Sequence, residues 1–129
     1  MLKAYIGKND LIFIIKTDNN NRFGGYAHEC FEKSYFEKKD LNAFLFNLNK
    51  KTIYKSKGGS NSIWRGPFQL LSINFGSGVD LKINHKFLSG KNRVYPSGKD
   101  YNYNQVIYPL NENEYFCISF FEIYQVIID

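Results

Sequence analysis

The chain is poor in the residues that staple small proteins or hold metals: its 129 residues include two cysteines, two histidines, one tryptophan and three prolines. Cys30 and Cys117 cannot build the disulfide framework of a small secreted domain, and no zinc-type CxxC spacing occurs. A reducing compartment is therefore expected, cytoplasmic or nuclear. His28-Glu29-Cys30 only superficially resembles the HxE of zinc deaminases: the spacing is wrong, no PCxxC follows it, and His85 stands far from it in sequence. No metal and no cofactor is expected. Long apolar runs are also missing: the longest, residues 11–15 and 126–128, fall far short of the roughly 20 residues a membrane helix needs. The opening Met1-Leu2-Lys3-Ala4-Tyr5 has no apolar leader region, and membrane insertion is not expected. No helical stripe of 3.6-residue period, internal repeat or low-complexity segment is present, which argues against a helical or repeat architecture.

What is there in quantity is aromatic: 12 Phe and 10 Tyr. That composition suits a packed β-rich core, and a chain of this length is expected to form a single domain over residues 1–129. Residues 11–17 are β-branched and apolar on both faces, which predicts a central strand buried from two sides. Asp18 to Arg22 reads as a turn and Phe23 to His28 as the partner strand. Gly24 and Gly25 inside that strand predict a bulge or the close approach of another backbone. Residues 30–40 read as a connection and residues 41–48 as a further apolar segment. The lysines around Ile53 predict an edge strand protected from self-pairing by charge. Leu71, Ile73 and Phe75 alternate with Ser72 and Asn74, so that one face should be buried and the other wet. After Gly76-Ser77-Gly78 the chain should return with Val79, Leu81 and Ile83 inward and Asp80 and Lys82 outward. Residues 84–104 form the longest irregular stretch. Residues 106–110 read as a short strand and residues 115–128 as one long strand. The pattern as a whole predicts two antiparallel sheets packed face to face, a mainly β sandwich with few short helices.

Charge is uneven along the chain: the net +5 divides into +1 over residues 1–49, +9 over residues 50–99 and −5 over residues 100–129. A basic middle and an acidic end can attract an acidic partner or neutralise each other within one fold.

Four segments, Phe23-Gly24-Gly25-Tyr26, Ala43-Phe44-Leu45-Phe46-Asn47-Leu48, Phe75-Gly76-Ser77-Gly78-Val79-Asp80-Leu81-Lys82-Ile83 and Phe121-Glu122-Ile123-Tyr124-Gln125-Val126, stand in the order and spacing of the TLDc domain. The chain resembles that family of eukaryotic oxidation-resistance proteins from about residue 9 to residue 127. The resemblance implies a β-sandwich flanked by short helices. It also implies a role in protection against oxidative stress, and for some members binding to the vacuolar proton-pumping ATPase. Two departures stand out. A helical segment usually precedes the first strand of the family; here either the domain is a trimmed version, or the sheet face that segment would cover is exposed and open to a second copy, as in a homodimer. The histidine of the family's Gly-His-Asp-Leu pattern is replaced by Val79.

The candidate sites follow from these segments. Gly76-Ser77-Gly78 is either a structural hairpin turn or a nest of backbone N–H groups for an anion; it has neither the third glycine of a dinucleotide fingerprint nor the GK[ST] of a P-loop. Gly76, Gly78, Asp80, Trp64 and Arg65 make up the expected protein-interaction surface, Trp and Arg being residue types that anchor interfaces. Replacing both glycines with Ala is expected to weaken partner capture and leave the fold intact. Glu29 and Glu122 are a candidate acidic pair, the only hydrolytic arrangement the residues suggest, with simple structural pairing as the alternative for each. Cys117 is expected to be a buried inert thiol, and Cys30, in a looser segment, the one that meets oxidants. The leading expectation is a non-enzymatic interaction domain with a protein partner, proton-ATPase subunits among them. The alternative is a nucleic-acid-binding protein, in which Lys82, Lys86, Lys91, Arg93 and Lys99 contact phosphates while Tyr95, Tyr101 and Tyr103 offer stacking faces.

Overall fold

The computed structural model describes residues 5–32, 36–65, 72–77, 79–84, 90–96, 98–106 and 108–127. Among the described residues, eleven strands make two antiparallel sheets. The first sheet holds β1 (Leu11–Thr17), β2 (Arg22–Ala27), β4 (Phe44–Asn47), β5 (Thr52–Lys55) and β11 (Ile118–Gln125), in the order β11-β1-β2-β4-β5. The second holds β3 (Phe36–Lys38), β6 (Ile63–Arg65), β7 (Ile73–Phe75), β8 (Leu81–Ile83), β9 (Asn92–Arg93) and β10 (Tyr115–Phe116), in the order β10-β9-β8-β7-β6-β3. The sandwich expected from the alternation is thus present, and no α-helix occurs among the described residues.

The inner faces meet through aromatic rings. Phe13 of β1 packs edge-on against Phe75 of β7 at 6.0 Å between centroids, and Phe23 of β2 against Phe116 of β10 at 5.1 Å. Tyr5, Phe31 and Phe36 extend the same cluster, all in edge-to-face contacts, the geometry the ring quadrupole favours. Two adjacent glycines set how closely this cluster packs. A Cβ on Gly25 would lie 2.7 Å from Cζ of Phe75, so the bare backbone is what lets that ring cross from the facing sheet. A Cβ on Gly24 would lie 1.8 Å from the carbonyl oxygen of Phe13 and 3.0 Å from the Phe46 ring on the opposite side. The close approach of another backbone anticipated for this glycine pair is met at Gly24, by the Phe13 carbonyl; at Gly25 it is a side-chain ring that approaches.

Several expectations need correction. Residues 30–40 contain β3 and so are not simply a connection, and Trp64 and Arg65 belong to a strand, Ile63–Arg65. No strand covers the described part of residues 106–110; the Leu110 carbonyl instead accepts from the side-chain amides of Asn21 (2.5 Å) and Asn47 (2.9 Å). Residues 115–128 are not one strand. Tyr115 and Phe116 pair with Arg93 and Asn92 in one sheet, and from Ile118 onward the chain pairs with β1 in the other. Cys117 is the crossing residue and is exposed, not a core thiol. Asn74 and Ser72 are buried where a wet face was expected, and Asn74 donates to the Trp64 carbonyl at 3.2 Å. Leu71 lies outside the described residues.

Candidate functional site

The β7–β8 hairpin is held from below by residues far along the chain. Gly76 has φ +84° and Val79 φ +53°, and the Val79 N–H donates to the Gly76 carbonyl at 3.1 Å to close the turn. The backbone N–H and hydroxyl of Ser77 both donate to one carboxylate oxygen of Asp100, at 2.8 and 2.7 Å. An anion therefore does sit in this turn, but it is the protein's own aspartate. Trp64 is half-buried, with its indole N–H donating to the Gly76 carbonyl at 2.6 Å.

Asp80 is fully buried, contrary to the outward position its alternation predicted, and its carboxylate accepts from the Tyr103 hydroxyl. Burial, with the Asp80 charge adding to it, raises the pKa of both Tyr103 and Tyr101 well above that of a free phenol, and each remains a neutral donor. The Tyr101 hydroxyl donates to the Ser62 carbonyl at 2.7 Å. Arg65 is buried as well, its guanidinium donating to the Glu32 carbonyl at 2.8 Å. Gly78 lies outside the described residues. Gly76, Asp80 and Arg65 thus face inward, and of the described residues in this expected surface only Trp64 presents part of itself to solvent.

The basic middle is partly spent in the same way. Tyr101 and Tyr103 are buried and offer no stacking face, and Lys86 lies outside the described residues. Arg93 donates through Nε to Glu114 at 2.5 Å, and its guanidinium lies over the rings of Tyr95 and Tyr115 at 4.9 and 5.7 Å. This pair joins the basic middle to the acidic end. Lys82, opposite Arg93 on β8, has its pKa lowered by partial burial and by the Arg93 charge. Lys91, Tyr95 and Lys99 are exposed.

Glu29 and Glu122 do not come together. Glu122 lies on β11, opposite Ile14 and thereby in line with Gly24, whereas Glu29 lies beyond the end of β2 at Ala27, in a bend outside the sheet. Glu122 instead accepts from the hydroxyl of Tyr124, and the Glu29 N–H donates to Asp40 at 2.9 Å. Beyond the end of β2, Asp10 accepts from the Tyr26 hydroxyl (2.6 Å) and bonds Nδ1 of His28 (2.7 Å). Burial and this carboxylate push the Tyr26 phenol up to about 12.

An open apolar feature lies elsewhere, on the outer face of the first sheet. Along β1, buried Leu11, Phe13 and Ile15 alternate with half-buried Ile12, Ile14 and Lys16. The register carries the outer set across the sheet: Ile12 lies beside Tyr26 and Tyr124, Tyr26 beside Phe44, and Phe46 beside both Gly24 and Ile53. Tyr26 and Phe44 stack at 4.9 Å, and Phe46 lies over the space that Gly24 leaves. The result is a groove of about 450 Å³ whose floor is Ile12, Ile14, Phe44 and Phe46, with Leu48 and Ile53 on its wall. Leu48 is 47% exposed, Ile53 56%, Phe120 49% and Tyr124 47%. Lys51 lines it, and the register puts Lys16, Arg22 and Lys55 on the same face, with Glu122 opposite Ile14 as the acidic exception. The signal in the sequence was the two-sided apolar character of residues 11–17; burial from two sides was expected, but the second face is on the outside of the sandwich.

Among the described residues no group of three or more His, Cys, Asp or Glu side chains is placed to hold a metal ion, and no helix is long and apolar enough to cross a membrane. Comparison with known proteins adds one finding: the model of a family described as the TLDc domain matches residues 1–127. No curated protein matches the chain.

Proposed function

The chain belongs to the TLDc domain family, and on that footing we propose that it is a non-enzymatic protein-interaction domain of the oxidative-stress response that receives its partner on the outer face of the first sheet. The observation that carries this reading is the apolar groove bounded by Leu48 and Ile53. Apolar side chains half-exposed side by side across several strands are what an interface core requires, and an isolated soluble surface seldom gathers them. The lysines and arginine at its margin favour a partner whose apolar contact is flanked by acidic groups. The partner proposed from the family resemblance is a subunit of the vacuolar proton-pumping ATPase.

The test is capture of purified ATPase catalytic-sector and stalk subunits on the immobilised protein, with Ile53→Asp and Leu48→Asp as variants. Both residues are exposed, so the fold should keep its Tm, while a desolvated anchor lost from an interface costs roughly 2 kcal/mol or more, about thirtyfold in affinity. Capture that is equal for wild type and variants would move the interface off this face. No capture of any subunit would remove the ATPase as partner.

A further inference from the structure

Cys30 follows β2, and Phe31 beside it is anchored in the aromatic core against Tyr5, Phe13 and Phe36. The Gly7 N–H donates to the Phe31 carbonyl (2.9 Å) and buried Arg65 holds the Glu32 carbonyl, so the backbone on the C-terminal side of Cys30 is pinned at two successive residues. Lys38 stands on β3, opposite Ile63 of β6, and is pinned from its own side by the second sheet. Its ammonium reaches back to the first segment with three acceptors: the Cys30 carbonyl at 2.7 Å, a Glu32 carboxylate oxygen at 2.7 Å and the Cys30 Sγ at 3.2 Å. An ammonium has three N–H donors, and one of them points at the sulfur. Cys30 is half-buried, open enough for a small oxidant.

We propose that Cys30 and Lys38 form a peroxide-responsive modification site, in which oxidation of the thiol ends in a covalent sulfur–nitrogen link between the two side chains. In the first step the thiol attacks a hydroperoxide: the O–O bond breaks, an S–O bond forms, the sulfur gives up two electrons, and the thiol proton leaves with the departing oxygen as water or alcohol. In the second step Nζ displaces the hydroxyl of the sulfenic acid, forming S–N and breaking S–O. Of the three ammonium protons, one converts the leaving hydroxyl to water, one passes to the Glu32 carboxylate and one stays on the sulfenamide nitrogen. No second oxidant is needed. Two molecules of an external thiol reverse the link and become a disulfide. Partial burial lowers the pKa of Lys38, but its hydrogen bonds to Glu32 and Cys30 outweigh this and raise it overall, so the second step should quicken as pH rises.

The test uses Cys117→Ser protein, which removes the exposed thiol, treated with stoichiometric hydrogen peroxide and mapped by mass spectrometry with and without a dimedone probe for sulfenic acid. The expected result is a Cys30–Lys38 joined peptide, lighter by two hydrogens than its parts, abolished by dithiothreitol. Lys38→Arg keeps the positive charge and N–H donors but is a poor nucleophile; its joined peptide should vanish and its Cys30 should take up dimedone that the parent does not. Equal dimedone labelling of Cys30 in both proteins with no joined peptide would overturn the proposal, as would a Cys30 that peroxide leaves untouched in both.

Discussion

Gly25→Ala tests the packing argument most directly. The added methyl would meet three atoms of the Phe75 ring at 2.7, 2.9 and 2.9 Å. Carbon contacts settle at about 3.5–4.0 Å, so the ring must retreat by about 1 Å. Phe75 is fully buried and in edge contact with Phe13 and Phe31, each at 6.0 Å, which leaves it no free direction. Overpacking of this kind costs about 1–3 kcal/mol, and the lower chain entropy of Ala in the unfolded state returns about 0.4–1. A net loss of about 1–2 kcal/mol is expected, read by thermal and urea unfolding as a fall in Tm of roughly 4–10 °C. The mechanism makes a second demand. In the double variant Gly25→Ala/Phe75→Leu the smaller side chain makes room for the methyl, so the two costs should fall short of their sum by about 0.5 kcal/mol or more. A Gly25→Ala protein within about 0.5 kcal/mol of wild type, or strictly additive costs, would refute the claim that this glycine exists to admit the Phe75 ring.

Two further outcomes follow from the geometry. Gly76→Ala should damage the fold, not merely a surface, because the residue has φ +84° and its Cβ would lie 2.0 Å from Oδ1 of buried Asp80; a circular-dichroism melt indistinguishable from wild type would contradict this and restore the expectation that the turn is replaceable. The imidazole of His28 has its pKa raised by the bond to Asp10, against slight burial, and the carboxyl of Asp10 has its pKa lowered by Tyr26 and His28. The histidine contribution is complete below the unfolded value of about 6.5 and is lost as pH rises through the higher folded value; the aspartate contribution is present above about 3.9 and is lost as pH falls through the lower folded one. The Tm deficit of His28→Gln should accordingly be largest between about pH 4 and 6.5 and shrink toward pH 9, and an equal deficit at pH 5 and pH 9 would count against the pair.

Much of the architecture was legible because it is local. A β-branched run apolar on both faces marks β1, two-residue alternation marks β7 and β8, the lysines around Ile53 mark β5 as an edge, and paired glycines in β2 mark a close approach; each is a property of neighbours in the chain. The short strands of the second sheet were not legible, since β3, β6 and β9 span only two or three residues and show no period long enough to detect. Nor was the sheet switch at Cys117. The apolar pattern runs through it unbroken, and only the pairing of Phe116 with Asn92 and of Ile118 with Thr17 assigns the two sides to different sheets.

The expected interaction residues show the same limit from the side of function. Asp80 sits in a polar-looking position of an alternating strand, and its burial depends on a tyrosine hydroxyl from 23 residues further along. Ser77 faces an aspartate at the same separation, which fills the turn in place of a ligand. By itself the sequence determined a β-rich chain, its strand periodicity, its charge asymmetry and its family, because those are written in composition and spacing. The tertiary structure alone decided which polar groups are buried, that the apolar second face of β1 lies on the outside, and that a lysine meets a cysteine eight residues before it, because each depends on which strands the folded chain brings side by side.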